Sequence, residues 1–468
     1  MNEPTLPLDG LSSVGGKAVV ARFDGSLLSS DSGVIALAEV ERRLRVAERL
    51  AQCINDPRSA NQIVHSLADM IGFRMKMIAA GYEDGNDADR LRSDPVFKMA
   101  QDTLPSGRSL ASQSTICRLE NLPGVRELIA MGRAMVDLYC RSFRQAPKRI
   151  VLDIDDTFDA VHGGQQLRLF NAHHDEYGFQ PIVVFDGEGR FVGAVLRPAK
   201  RPRGSEIRAH LRRLVRAIRA HWPHTRILIR GDSHYCGPLV IDWCRANDID
   251  FIFGVAPTTT LRKHVESLET STTARFEASA RTGKVRRFKE FFDGAASWSR
   301  VERIIARVEV GTQGSDTRFI VTNLVGGRAR TLYQDVYCRR GAAENHIKSF
   351  KTHLAADRTS CSKATANQFR LFLHAGAYWL MWGLRAAMPK RSHLAVAQFD
   401  TLRLRLIKIA ARVVELKTQI RLHMPTSCPD QGMSRSLLNF GERRCRIEGY
   451  AALETGATGF SARRSRWA

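Results

Sequence analysis

An alternation of apolar runs and polar breaks between residues 148 and 257 constrains the fold of this chain more than any other feature. Runs with the two-residue period of strands come first, and helical periods then alternate with further runs. The pattern predicts strands at 149–155, 166–172, 181–186, 190–196, 226–231 and 250–255, and helices at 204–221 and 236–247. Antiparallel strands followed by helix–strand units predict a mixed α/β sheet.

Two of the predicted strands end in carboxylates. Alternation along the first strand puts Asp153 and Asp155 on the same face, and the apolar run of a later strand ends at Asp232. Open α/β sheets place their functional sites beyond the carboxyl ends of the strands. A single aspartate at such a place is also an ordinary turn or capping residue, so the two gain significance only with a third carboxylate.

The segment 336–354 supplies that third carboxylate, Glu344. If the segment is helical, offsets of three, seven and fourteen residues place four polar side chains on one face, namely Tyr337, Arg340, Glu344 and Lys351. The other face is an apolar stripe made of Val336, Ala343, Ile347, Phe350 and Leu354. The polar face suits a site that holds a metal through the glutamate and a polyanion through the cations, although a solvated helix face has the same pattern.

Asp155, Asp232 and Glu344 together suit Mg²⁺, which takes few protein ligands and keeps positions for water and phosphate oxygens. Two such ions about 4 Å apart can bind the attacking and leaving oxygens of an in-line phosphoryl transfer. A nucleophilic side chain is then not required, because water or a DNA 3′-hydroxyl attacks. The expected cofactor is therefore two Mg²⁺ ions, with Mn²⁺ able to replace them.

These segments, in this order, resemble the DDE transposases of bacterial insertion sequences, in the branch with a Y-R-E-K signature around the catalytic glutamate. The matching pieces lie within residues 148–385 and are Asp155–Thr157, Arg230–Ser233 and Tyr337–Lys351. The resemblance implies that the catalytic and metal-binding residues are Asp155, Asp232 and Glu344, with Asp153 as the alternative to Asp155. It also implies an enzyme that binds terminal inverted repeats, cuts the DNA and joins it to target DNA.

The resemblance further implies an α/β fold with a ribonuclease-H-like catalytic core, a β-rich insertion domain, and mainly helical N- and C-terminal regions. The expected parts are a candidate DNA-end-binding region at 1–147, the core at 148–257 and 331–385, the insertion at 258–330, and a basic helical region at 386–468. Within the last, apolar residues from Leu402 to Ile420 recur at helical spacing and predict a helix docked on the core or on a second copy. The expected assembly is a homodimer in a synaptic complex with double-stranded DNA.

Residues that contact DNA are predicted in three places. The polar helix face would bind phosphates through Tyr337, Arg340, Lys348 and Lys351. An aromatic residue of the insertion, Trp298, could stack on an unpaired base as an insertion-domain tryptophan does in related enzymes, and a packing role fits it equally well. A basic turn between strand and helix suits phosphate contacts or a solvated loop, and consists of Lys200, Arg201 and Arg203.

Composition agrees with a nucleic-acid partner. The 468 residues carry a formal net charge of +23, which attracts polyanions. The nine cysteines form no C-x-x-C pair, so neither a zinc site nor a disulfide framework is indicated. The N-terminus lacks a signal-peptide core, and the apolar stretch at 371–384 is too short to cross a bilayer. We therefore expect a cytoplasmic, nucleoid-associated bacterial protein with no membrane partner.

Two other functions remain open from the sequence. The segment Asp153–Thr157 also fits the D-x-D-x-T motif of haloacid-dehalogenase-like phosphatases, with Asp153 as nucleophile and Asp155 as acid–base. That interpretation leaves the Glu344 helix and the basic charge unexplained. A catalytically inactive DNA-binding regulator on the same fold would keep the charge and lose the chemistry.

Overall fold

The computed structural model of the chain describes residues 10–279 and 283–432. The strands in these ranges are β1 (Leu28–Ser29), β2 (Arg149–Asp156), β3 (Asp159–Ala160), β4 (Leu169–Asn171), β5 (Glu176–Phe179), β6 (Ile182–Asp186), β7 (Phe191–Val195), β8 (Arg226–Gly231), β9 (Asp250–Val255), β10 (Val285–Asp293), β11 (Glu302–Gly311), β12 (Gly314–Thr322), β13 (Ala411–Glu415) and β14 (Ile420–His423).

The α-helices are α1 (Val34–Leu44), α2 (Val46–Ala51), α3 (Leu67–Ala79), α4 (Ala88–Leu91), α5 (Pro95–Met99), α6 (Gln113–Glu120), α7 (Val125–Arg141), α8 (Gly204–His221), α9 (Pro238–Ala246), α10 (Thr259–Lys263), α11 (Glu266–Glu277), α12 (Ala329–Thr331), α13 (Gly341–Lys348), α14 (Ala364–Ala386) and α15 (Phe399–Leu402). Wider π-helical turns occupy Leu332–Tyr337, Ser349–His353 and Arg403–Ile407.

The chain divides into two compact units. Within the described ranges, the first unit comprises 10–47, 57–119 and 380–432, and the second comprises 48–56, 120–279 and 283–379. All the site residues predicted from the sequence belong to the second unit.

An eight-stranded mixed sheet lies in the second unit, with the order β10-β11-β12-β9-β8-β2-β6-β7. β2 is parallel to β8, which is parallel to β9, and it is antiparallel to β6. Parallel strands end at the same side of a sheet, so Asp155 and Asp232 lie at one end of it, which we call the carboxylate end. Both faces of these strands are buried, and Leu152, Ile154 and Ile229 are at most 1% exposed.

The secondary structure predicted between residues 148 and 257 is largely confirmed. The strands predicted at 149–155, 181–186, 190–196, 226–231 and 250–255 and both helices are present within two residues of their predicted limits. The strand predicted at 166–172 is shorter, because β4 pairs only with β5 in a separate three-stranded sheet of order β3-β5-β4. This small sheet follows β2 and precedes β6 along the chain.

Strands β10, β11 and β12 extend the main sheet instead of forming one of their own. β12 pairs antiparallel with β9 from Thr322↔Ile252 to Phe319↔Val255, and β11 and β10 continue the ladder outward. The turn between β11 and β12 consequently reaches beyond the end of β9. The segment 258–330 thus contains the strands that the sequence predicts, together with α10 and α11, which the alternation did not reveal.

The prediction of a helix from Leu402 to Ile420 is wrong. The helical part ends at Ile407, and β13 and β14 then form a hairpin that pairs with β1 in the first unit. Ile409, Ala411 and Val413 are buried and alternate with exposed residues. This two-residue period is that of a strand, and the three- and four-residue spacing of the larger apolar side chains concealed it.

The apolar and charged residues of the segment 34–54 form two helices. α1 ends at Leu44, and Arg45 adopts a left-handed φ of 52° before α2 begins at Val46. α3 begins after Ser66, whose side chain accepts a hydrogen bond from the backbone N–H of Asp69 in a capping box. Among the helices of residues 10–279 and 283–432, none has both the length and the apolar character needed to span a membrane.

Candidate active site

Asp153 lies within the sheet and is fully engaged by one arginine. Arg230, its register partner on β8, donates from Nε and Nη2 to the two carboxylate oxygens of Asp153 at 2.6 Å each. The side chains of Arg230 and Asp153 are only 5% and 1% exposed. Burial raises the pKa of Asp153, and the Arg230 guanidinium opposes the rise. Asp153 therefore faces a fixed cation and not the open site.

Asp155, two residues further along β2, reaches a different arginine. Its Oδ2 accepts a 2.8 Å hydrogen bond from Nη1 of Arg340, and its Oδ1 accepts one of 3.0 Å from the backbone N–H of Asp156. Burial raises the pKa of Asp155 to about 6, Arg340 opposes the rise, and the charges of Asp232 and Asp156 add to it. Asp155 thus belongs to a cluster of like charges that one guanidinium partly offsets.

Asp232 follows the last residue of β8 and is half-buried. Its Oδ1 accepts a 2.8 Å hydrogen bond from the backbone N–H of His234, a local turn that fixes the carboxylate. The Nδ1 of His234 lies 3.8 Å from Asp232 Oδ2 and 3.7 Å from Asp156 Oδ1. Asp156 also accepts hydrogen bonds from Gln180 and, at 3.3 Å, from the hydroxyl of Tyr235. These side chains join the ends of β2 and β8.

Glu344 approaches the same place from α13. As predicted, the apolar stripe of this segment is turned inward, and Ala343, Phe350 and Leu354 are each 1% exposed. Glu344 is exposed and lines a cleft of about 820 Å³ together with Asp232 and Arg340. The structure therefore brings Asp232, Arg340 and Glu344 to one cleft, and Arg340 connects them to Asp155.

Tyr337 packs closely against β9 at the wall of this cleft. A Cβ atom added to Gly254 would lie 2.8 Å from the Tyr337 hydroxyl and 3.1 Å from the backbone nitrogen of Ser233. Only glycine permits so close an approach of strand and helical turn. Burial raises the pKa of Tyr337, and Arg340 opposes the rise. The phenol consequently remains protonated near neutral pH and can donate a hydrogen bond.

The helical segment that carries these residues is irregular. A π-helical turn at Leu332–Tyr337 and a 3₁₀ turn at Cys338–Arg340 precede α13, and a further π-helical turn follows it. Offsets counted on a regular α-helix therefore describe only part of the segment. Lys351 shows the difference, because its Nζ donates to the carbonyl oxygen of Phe158 and lies 3.8 Å from Oδ1 of buried Asp159.

The basic turn predicted to bind phosphate lies after β7. The end of β7 pairs with Ile182, which in turn pairs with Asp156, so this turn leaves the main sheet at the carboxylate end. Two of its cations, Arg201 and Arg203, are exposed, and Lys200 is half-buried.

Trp298 is not brought to the carboxylates. It is half-buried in the loop between β10 and β11, and the strand register puts this loop at the opposite end of the main sheet. Lys348 is exposed on α13, four residues after Glu344.

Several residues of the site were not predicted from the sequence. The cleft is also lined by Arg262, Arg307 and Arg318, and the carboxylates are connected by Gln180, His234 and Tyr235. Arg262 follows β9 in the chain, whereas Arg307 and Arg318 are register partners on β11 and β12, which reach the carboxylate end through the pairing of β12 with β9. His234 and Tyr235 stand two and three residues after Asp232, so the sequence indicated that they lie near it but not which contacts they make.

The donor chemistry of the cleft fits a hard divalent cation. Asp155, Asp232 and Glu344 offer carboxylate oxygens. Burial is the main cause of the raised pKa of Asp155, the charges of Asp232 and Asp156 add to it, and a bound cation would favour the ionised form. The side chains are not preassembled, since Oδ2 of Asp155 is bonded to Arg340. Across residues 10–279 and 283–432, no three His, Cys, Asp or Glu side chains are already arranged to hold a metal ion.

Comparison with known proteins gives one decisive match. No curated protein sequence matches the chain. Among solved structures, a cryo-EM structure of piggyBac transposase in a synaptic complex with hairpin DNA is 10% identical, with 81% of this chain and 80% of that chain covered and a TM-score of 0.38. At this identity and TM-score, the likeness carries no inference about function. The family model of the transposase DDE domain, group 1, matches residues 11–442. The chain therefore belongs to the DDE transposase family and is a DNA transposase.

Proposed function

We propose that Asp155, Asp232 and Glu344 are the catalytic carboxylates of this transposase. The observation that carries the proposal is the meeting of two strand ends with one helix. Arg340 bonds to Asp155 at 2.8 Å and lines the same cleft as Asp232 and Glu344. Acidic groups that converge from distant segments in one open cleft are expected of a phosphoryl-transfer site.

The fold that we propose for the catalytic core is ribonuclease-H-like. Support comes from five neighbouring strands of the main sheet, in the order β7-β6-β2-β8-β9. The first three in sequence are antiparallel, and the last two run parallel to the first. Helices α8 and α9 connect the later strands, which is the order expected of that fold.

We further propose two Mg²⁺ ions, replaceable by Mn²⁺, as the cofactor that these carboxylates hold. Members of the family use divalent ions. When bound, the ions would neutralise charge on the transferred phosphate and favour attack by water or by a 3′-hydroxyl.

The remaining residues of the cleft would position DNA. Arg340 favours the ionised form of Asp155 and has further N–H groups available for a phosphate. The protonated hydroxyl of Tyr337 is a donor at the cleft wall. Arg201 and Arg203 lie at the carboxylate end, where they can contact the flanking backbone. The proposed substrates are the terminal inverted repeats and target DNA, bound by two copies of the chain.

The phosphatase alternative is disfavoured by the surroundings of Asp153. A nucleophilic carboxylate needs a free oxygen in an accessible site. Both oxygens of Asp153 accept hydrogen bonds from Arg230 inside the sheet. We therefore expect no turnover of a generic phosphomonoester with Mg²⁺, and phosphate trapped on Asp153 by mass spectrometry would favour the phosphatase.

The test of the proposed site is strand cleavage of DNA that carries the ends of the element. Asp232→Ala and Glu344→Ala should abolish metal-dependent cleavage and leave DNA binding largely intact, because carboxylates contribute ligands and not phosphate contacts. Glu266→Ala, an exposed glutamate on α11, is the matched control and should cleave normally. Cleavage at the wild-type rate in Glu344→Ala would contradict the assignment. A wild-type chain that binds the ends but never cuts them would point to the inactive regulator.

A further inference from the structure

Two buried aspartates flank Asp155 along the chain and belong to ion pairs outside the cleft. The side chains of Asp153 and Asp159 are only 1% and 2% exposed. Each faces a cation, Arg230 in one case and Lys351 in the other. Neither pair is needed to explain the proposed chemistry, yet both connect β2 or its continuation to other segments of the site.

The first pair reaches the helical segment before Glu344. Besides its two bonds to Asp153, Arg230 donates from Nη1 to the carbonyl oxygen of Val336 at 2.7 Å. That carbonyl lies in the π-helical turn that ends at Tyr337. One guanidinium therefore connects β2, β8 and the entry of the segment that carries Glu344.

The second pair holds the same segment after Glu344. Lys351 Nζ donates to the carbonyl oxygen of Phe158 and lies 3.8 Å from Oδ1 of Asp159. Burial raises the pKa of Asp159 well above its ordinary range, and Lys351 opposes the rise. The ammonium group is directed to the chain just beyond β2, and Lys351 is not among the residues that line the cleft.

We infer that Asp153 with Arg230, and Asp159 with Lys351, are positioning residues that fix the helix of Glu344 to β2 on both sides of the catalytic glutamate. Val336 precedes Glu344 by eight residues and Lys351 follows it by seven, so the two anchors enclose it. The inference rests on the proposed role of Asp155 and Glu344, because the quantity that is fixed is the placement of one relative to the other.

Ion pairs suit this task better than apolar contacts of equal stability. Buried pairs contribute little net stability, whereas their hydrogen bonds are directional and connect particular atoms of β2, or of the chain just beyond it, to the helical segment. A misplacement of about 1 Å at a reacting centre can cost on the order of 100-fold in rate. Lys351 acts through Glu344 in this account and does not contact DNA, in contrast to the phosphate contact that the sequence suggested.

The experiment uses the full chain with Lys351→Met, Lys351→Arg and the double variant Asp159→Asn/Lys351→Met. Lys351→Met should lower the cleavage rate by about 10- to 100-fold and raise the Mg²⁺ concentration needed for half-maximal cleavage. The slope of log affinity for DNA ends against log salt should equal that of the wild type. A loss of about 1 in that slope would show a phosphate contact and overturn the inference.

The double variant separates positioning from stability. Removing both charges should restore the thermal unfolding midpoint that Lys351→Met alone lowers. The cleavage rate should stay at least about tenfold below that of the wild type, because the hydrogen bond that anchors the helical segment is absent. Cleavage that recovers together with the midpoint would reduce the pair to a structural role and overturn the inference. Lys351→Arg keeps a donor and should retain most of the cleavage activity. These outcomes do not depend on Glu344→Ala, whose retained activity would instead contradict the proposed site.

Discussion

At the scale of single residues, four aspartates within seven positions of the chain have different surroundings. Asp153 and Asp159 are buried in ion pairs, Asp156 accepts bonds from neutral donors, and Asp155 is left with Arg340. Strand alternation puts Asp153 and Asp155 on one face and cannot rank them. The distinction depends on Arg230, which lies 77 residues from Asp153 in sequence, so it required the pairing of β2 with β8.

Breaking the buried Arg230 pair should strongly destabilise the protein. Arg230→Met leaves the buried carboxyl group of Asp153 without its cation, which should lower the free energy of unfolding by about 3–5 kcal/mol. Chemical denaturation measures the change. The double variant Asp153→Leu/Arg230→Met should recover most of it. Arg318→Met removes an exposed pair with Asp316 and should change the value by no more than about 1 kcal/mol. Equal effects of the two single variants would contradict the burial argument.

The raised pKa of Asp155 should be visible in the pH dependence of stability. Its folded-state pKa of about 6 lies above the ordinary 3.8, so the folded protein holds a proton that the unfolded chain releases. Stability from this group is therefore fully present below about pH 4 and is lost as the pH rises through about 6. Relative to Asp155→Asn, the free energy of unfolding of the wild type should fall by about 3 kcal/mol between pH 4 and 6.5. A pH-independent difference between the two proteins would refute this.

At the scale of helices and strands, the sequence was most informative where one period continued over several residues. Both faces of β2, β8 and β9 are covered, and their apolar runs predicted them within two residues. The helical segment around Glu344 was predicted, but not its π-helical turns, which redirect Lys351. The hairpin β13–β14 was mistaken for a helix because two periods fit the same apolar residues. Cleft walls contributed by strand pairing could not be predicted from local patterns.

The close approach of β9 and the Tyr337 turn predicts a specific pair of effects. Gly254→Ala places a methyl group 2.8 Å from the Tyr337 hydroxyl, so the turn must shift and cleavage should fall by about tenfold. Adding Tyr337→Phe removes that oxygen and should restore part of the thermal stability lost by Gly254→Ala. Cleavage assays and thermal unfolding of the single and double variants provide the test. Additive losses in the double variant would show that the two residues do not interact.

At the scale of the whole molecule, charge and sheet geometry act together. The chain carries a formal net charge of +23, and the strand register assigns particular cations to one end of the main sheet or the other. Length and charge predicted a nucleic-acid partner correctly, whereas which arginines lie beside the carboxylates follows only from the strand order.

The two ends of the main sheet should therefore respond differently to loss of a cation. Arg201→Ala and Arg203→Ala lie at the carboxylate end, and each should lower the salt slope of binding to element ends by about 0.9. Arg226→Ala is the matched control, because Arg226 is 71% exposed at the start of β8. Its slope should remain that of the wild type. Equal changes in all three variants would indicate that binding depends on net charge alone.

The continuity of the main sheet also limits how such enzymes can be recombined. β12 adds to β9 through four residue pairs, so the segment 258–330 is not a cassette that can be excised or exchanged. Deleting it would convert β9 into an open edge, a template for aggregation. A viable chimera would have to transfer β9 with its partner strands. Loops such as 294–301, between paired strands, are where foreign sequence could be grafted without breaking the ladder.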